Sequence, residues 1–139
     1  MIEFMKKPLF LLVLVCQLAF GQNFSQILSG FIVPDGAQDF ESVAESAGVA
    51  MPLSIYTTCQ NREFYIWNGL KASTVNGLVK NLDSRIREAS WQIISTETKD
   101  NQIIRIGKQN GATLAVGIAT GGKLSDLWVM LLLCEVPSN

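Results

Sequence analysis

Hydrophobic residues recur along this chain with two periods, and each change of period marks an element. From Val75 onward the spacing is helical. Val75, Leu78, Val79, Leu82, Ile86 and Ala89 fall on one face, while Lys80, Asn81, Asp83, Arg85 and Arg87 fall on others. This predicts a main amphipathic helix over about 74–89, with Ser73 or Thr74 accepting from its first free amides. Gly77 inside it costs about 1 kcal/mol against alanine, and marks either a close packing contact or a bland exposed position. A shorter stripe of Phe40, Val43, Ala44 and Ala47 predicts a second helix over about 39–47, ended by Gly48.

Elsewhere the period is two. Phe31-Ile32-Val33 begins ordered structure before a Pro34-Asp35-Gly36 turn. Residues 53–59 and 63–67 are rich in β-branched and aromatic side chains, and read as a hairpin joined by Gln60-Asn61-Arg62 and ended by Asn68-Gly69. After the main helix come four strands, 91–98, 102–108, 112–119 and 127–136, separated by Asp100-Asn101, Asn110-Gly111 and Gly121-Gly122. The third strand is large on one face (Leu114, Val116, Ile118) and small on the other (Ala115, Gly117, Ala119), so the small face is the one expected to admit the helix. The fourth is apolar on both faces, as a central strand would be.

The expected fold class is therefore α+β: an antiparallel sheet, made of a two-strand hairpin and a four-strand C-terminal meander, packed by one main and one short helix. A helix followed by such a meander is similar to the cystatin-like arrangement in element order alone, since the Gln-x-Val-x-Gly inhibitory motif is missing.

The first residues read differently. Lys6 and Lys7 precede an apolar run over 8–20, and Ala19-Phe20-Gly21 has the small-x-small pattern of a cleavage site. The expected organisation is a cleaved signal peptide over 1–21, a flexible leader over 22–30 and a single domain over 31–139, secreted or periplasmic. The apolar run is shorter than the ~20 residues a spanning helix needs, so no stable membrane span is expected. Lipid anchoring through Cys16 is the alternative, disfavoured by the bulky Val15 before it.

Composition narrows the function classes. At 139 residues, 48% hydrophobic and 17% charged, the chain is globular in character. A formal net charge of −1 supplies no basic field for nucleic acid. With Cys16 in the discarded peptide, Cys59 and Cys134 remain, and in an oxidising compartment they are expected to pair. The chain has no histidine, which removes the commonest general base and every imidazole-activated nucleophile.

No catalytic, cofactor-binding or metal-ligating set stands out. Asp35, Asp39, Glu41 and Glu45 form a local acidic cluster that lacks an EF-hand pattern, and Asp39 and Glu41 read as helix-start acids. Tyr65 and Trp67 lie on one face of their strand and are the candidate interaction surface. The expected function is a non-catalytic binding or assembly module, its partner a protein or small ligand in the cell envelope or outside. Two alternatives are a carrier enclosing a small apolar ligand beside Gly117, and a hydrolase using two carboxylates such as Asp100 and Asp126.

Overall fold

The computed structural model describes residues 23–39 and 59–137. The expected signal peptide with Cys16, most of the short helix over 39–47 and the first hairpin strand over 53–58 lie outside these residues. Eight strands and one helix are described: β1 (Asn23–Phe24), β2 (Ile32–Val33), β3 (Gln38–Asp39), β4 (Asn61–Leu70), α1 (Ala72–Glu88), β5 (Gln92–Lys99), β6 (Gln102–Gln109), β7 (Ala112–Lys123) and β8 (Asp126–Val136). β1 and β2 pair with each other. The rest form one antiparallel sheet in the order β3-β4-β8-β7-β6-β5.

The expected meander is present, with its boundaries moved. Asp100-Asn101 and Asn110-Gly111 turn the chain, and Asp100, Asn110 and Gly111 all have positive φ. Gly121-Gly122 was expected to turn as well but lies inside β7, where Gly121 sits opposite Trp128. The turn falls instead at Leu124-Ser125. Likewise Asn61 and Arg62, expected in a connection, open β4, and Asn68-Gly69 lies within it as a register irregularity. Asp39, expected to start a helix, pairs with Tyr65 in β3.

The helix begins two residues earlier than its pattern suggests. Lys71 is its N-cap, without a side-chain cap hydrogen bond, so Ser73 and Thr74 lie inside the first turn. At the other end Ala89 turns extended, and Trp91 donates its indole N–H to the Ile86 carbonyl at 2.7 Å. Arg85 and Arg87 in the last turn complement the helix dipole.

Leu82 and Ile86 of α1 pack with Leu114, Val116 and Ile118 of β7, and with Val129, Leu131 and Leu133 of β8. The helix thus takes the large face of β7, reversing the expectation that the small face would admit it. Ala115 and Ala119 belong to a second buried cluster on the opposite face, with Phe64, Ile66, Met130, Leu132 and Cys134. β8, between β4 and β7, is buried on both faces, which is why its sequence has no polar alternation.

The stretch read as a leader carries β1 and a turn on the helix face, with Leu28 fully buried. The Ser25 hydroxyl accepts from the Ile27 and Leu28 amides and donates to the Glu63 carboxylate at 2.6 Å. Gln109 holds the same turn from the other side, accepting from the Ser29 amide and donating to the carbonyls of Ser29 and Ser90.

Candidate functional site

The helix packs over β7 and β8, at the middle of the sheet, while β6 and β5 extend beyond it to the edge. A cleft of about 320 Å³ opens where the first turns of α1 face this overhang. Its floor is aliphatic: Val75 and Val79 from the helix, Ile103 from β6 and Ile118 from β7. Each reaches it by its own periodicity. Val75 and Val79 are one turn apart, and Ile103 pairs with Ile118 across the ladder, so both point to the helix side.

The rim is polar. Asn76 and Lys80 line it from the helix, and Thr98, Asp100, Gln102 and Thr120 from the sheet end. Asn101 fixes the turn at this wall: its amide donates to the Thr120 carbonyl, and its carbonyl accepts from the Thr120 amide at 3.1 Å. One helical turn further on, Arg105 of β6 grips Asp83 of α1 through two hydrogen bonds, 2.8 and 3.1 Å, and donates to the Thr96 hydroxyl at 2.9 Å. That bridge joins helix to overhang one turn beyond Lys80. Lys80 and Asp100 both line the cleft, yet among the described residues neither is in an ion pair, with the other or with a third group.

A second polar group surrounds Glu63 on β4. Its carboxylate accepts from Ser25, from the Gln26 amide at 2.9 Å and from the Tyr65 hydroxyl at 3.4 Å. Burial pushes the Tyr65 phenol up to about 12, and the neighbouring carboxylates of Glu63 and Asp39 add to the rise. With three donors turned on it, Glu63 latches the N-terminal turn to the sheet.

Of the pair expected as an interaction surface, Trp67 is buried and donates its indole N–H to the Asp35 carbonyl at 3.0 Å, while Tyr65 is half-buried beside Glu63. Cys59 and Cys134 are disulfide-bonded, with Cα atoms 5.3 Å apart. Asp100 and Asp126 sit on hairpins of unequal reach. The first hairpin reaches the level of Thr120, whose amide meets the Asn101 carbonyl, whereas β7 runs three residues further to pair Lys123 with Asp126. At ~3.3 Å per residue the two turns stand about 10 Å apart along the sheet, and with β7 between β6 and β8 about 10 Å apart across it at ~4.8 Å per strand, beyond the ~5 to 10 Å of a carboxylate pair.

Among the described residues no three His, Cys, Asp or Glu side chains group as a metal site, and no helix is long and apolar enough to cross a membrane. The cleft was not found by reading the sequence, because α1, β5, β6 and β7 each lend it only a few residues. The sequence shows a stripe that begins at Val75 and runs through Val79, and of that stripe the helix fully buries only Leu82 and Ile86. Comparison with protein-family models, with curated proteins and with solved structures finds no match.

Proposed function

We propose that this chain is an exported, non-catalytic binding module that works in the periplasm or outside the cell and holds its ligand in the cleft between α1 and the β5–β7 end of the sheet. The cleft itself carries the reading: an aliphatic floor under a rim of amides, hydroxyls and two separate charges is the composition of a recognition site. The Cys59–Cys134 bond supports an oxidising compartment. Binding is favoured over hydrolysis because Asp100 and Asp126 belong to turns that end at different levels.

The test is native mass spectrometry of the protein recovered from its own host, beside a Val79→Trp variant whose indole fills the cleft. A chain beginning at Gln22 and carrying a non-covalent mass that the variant lacks is the expected result. A retained mass that survives Val79→Trp, or a chain found reduced in the cytoplasm, overturns the proposal.

A further inference from the structure

β5 is the last strand at the overhanging end of the sheet, and among the described residues nothing pairs with its outer side. It runs eight residues and is exposed at every one but Ile93. The helix packs over β7 and β8, so it is set back from this edge by two strands, about 10 Å at ~4.8 Å per strand, and leaves room for a neighbouring strand. An open edge invites such pairing, and proteins commonly blunt it with bulges and charges. Here the bulge lies between Ile93 and Ser95 and affects the first half alone, since Ser95 to Lys99 pair residue for residue with Ile106 to Gln102. The charges of the regular half are Glu97 and Lys99, two residues apart and so on one face. Thr96 and Thr98, paired with Arg105 and Ile103, lie on the other, toward the helix.

We propose that a second copy of this chain pairs with β5 in antiparallel fashion, about a two-fold axis at Thr98, joining the two sheets into one. The inference goes beyond the ligand reading of the cleft and does not depend on it. In a continuous sheet, residues directly opposed share a face, so the axis passes through a residue and not between two. Opposite charges facing each other favour a ladder, and like charges weaken it. An axis at Glu97 or at Lys99 sets that charge against its own copy. An axis at Ser95 or Thr96 carries the ladder into the bulge. At Thr98 the strand is complementary to itself: Glu97 lies opposite Lys99 of the second copy, Lys99 lies opposite its Glu97, and the two Thr98 side chains meet. Symmetry thus supplies both ion pairs from one sequence, which favours a copy over a foreign strand. The matched ladder is short, so the association is weak and concentration-dependent.

The experiment is analytical ultracentrifugation of the oxidised protein up to millimolar concentration, beside Glu97→Lys, Lys99→Glu and the two exchanges combined. Both side chains are exposed. The native chain is expected to show a reversible monomer–dimer equilibrium. Each single reversal opposes like charges at both symmetric pairs and weakens the dimer by about tenfold, and the combined exchange restores it. Thr98→Cys is expected to give a covalent dimer on oxidation, and Thr96→Cys, whose counterpart across the axis is Asp100, none. A native chain that stays monomeric at the highest concentration overturns the proposal. So does a dimer indifferent to both reversals, or one that Thr96→Cys links and Thr98→Cys does not.

Discussion

At Gly121 and Gly77 the same residue type does opposite work. A Cβ on Gly121 would collide with the Trp128 ring, its cross-strand neighbour, whereas one on Gly77 meets nothing within 4 Å. Gly121→Ala is expected to lower stability by about 1 to 3 kcal/mol through forced overpacking, and Gly77→Ala to raise it by about 1 kcal/mol through helix propensity, both read from urea unfolding. The contrast explains one failure of the sequence reading. A Gly-Gly pair carries the chemistry of a turn, and nothing local distinguishes it from a glycine kept small by a ring seven residues later. Asn110-Gly111 was legible because both residues tolerate the positive φ that its turn uses. Tyr65 offers a residue-scale test by pH. Its phenol is raised from 10.0 to about 12, chiefly by burial and then by Glu63. A group raised in the fold contributes stability that is whole below pH 10 and lost as the pH climbs through 12. Of the two tyrosines in the chain, Tyr65 should account for an ultraviolet phenolate transition near 12 that Tyr65→Phe abolishes and Glu63→Gln moves downward.

Arg105 and Asp83 show how two elements are held in register. Their side chains are only 17% and 19% exposed and meet through two hydrogen bonds, while Arg87, 57% exposed, approaches the same carboxylate at 3.3 Å. Asp83→Ala should cost about 1.5 to 3 kcal/mol, because it strips charge-assisted bonds from a guanidinium shielded from water. Arg87→Ala should stay within about 0.5 kcal/mol. A double-mutant cycle with Arg105→Met isolates the pair by denaturant unfolding. Coupling near zero would mean that the bridge does not fasten the helix to the overhang. The elements themselves were largely readable, since the helical stripe and three of the four meander strands follow simple periods. Their assembly was not. Small residues at Ala115 and Ala119 suggested a seat for the helix, but Leu82 and Ile86 interdigitate with Leu114, Val116 and Ile118 instead. The cleft depends on that choice and on how far β6 and β5 overhang α1, and neither is encoded in any one segment.

Across the whole molecule, the sheet is organised around β8, and the disulfide fastens the chain at that strand. Cys134 lies fully buried on β8, and Cys59 stands just before β4, which pairs with β8 from Asn61↔Glu135 through Trp67↔Val129. Gln60 bonds one step off that register, donating its amide to the Glu135 carbonyl at 2.8 Å. The ladder places Arg62, not Cys59, opposite Cys134, so the bond ties the lead-in to β4 onto β8 while the ladder itself holds the two strands together. The bond acts mainly on the unfolded chain, where it ties residues 75 apart in sequence and contributes on the order of 4 kcal/mol. The cysteine pair could be read from sequence because its warrant is the redox compartment rather than the fold. Reduction is therefore expected to lower the unfolding free energy by about that amount, moving the urea midpoint down, and to steepen the transition, as the freed unfolded chain expands and exposes more surface. Near-ultraviolet circular dichroism without denaturant should change little. If the near-ultraviolet signal collapses on reduction while far-ultraviolet signal remains, the bond is holding native packing together, and the β4–β8 ladder is too weak to keep the two strands packed by itself.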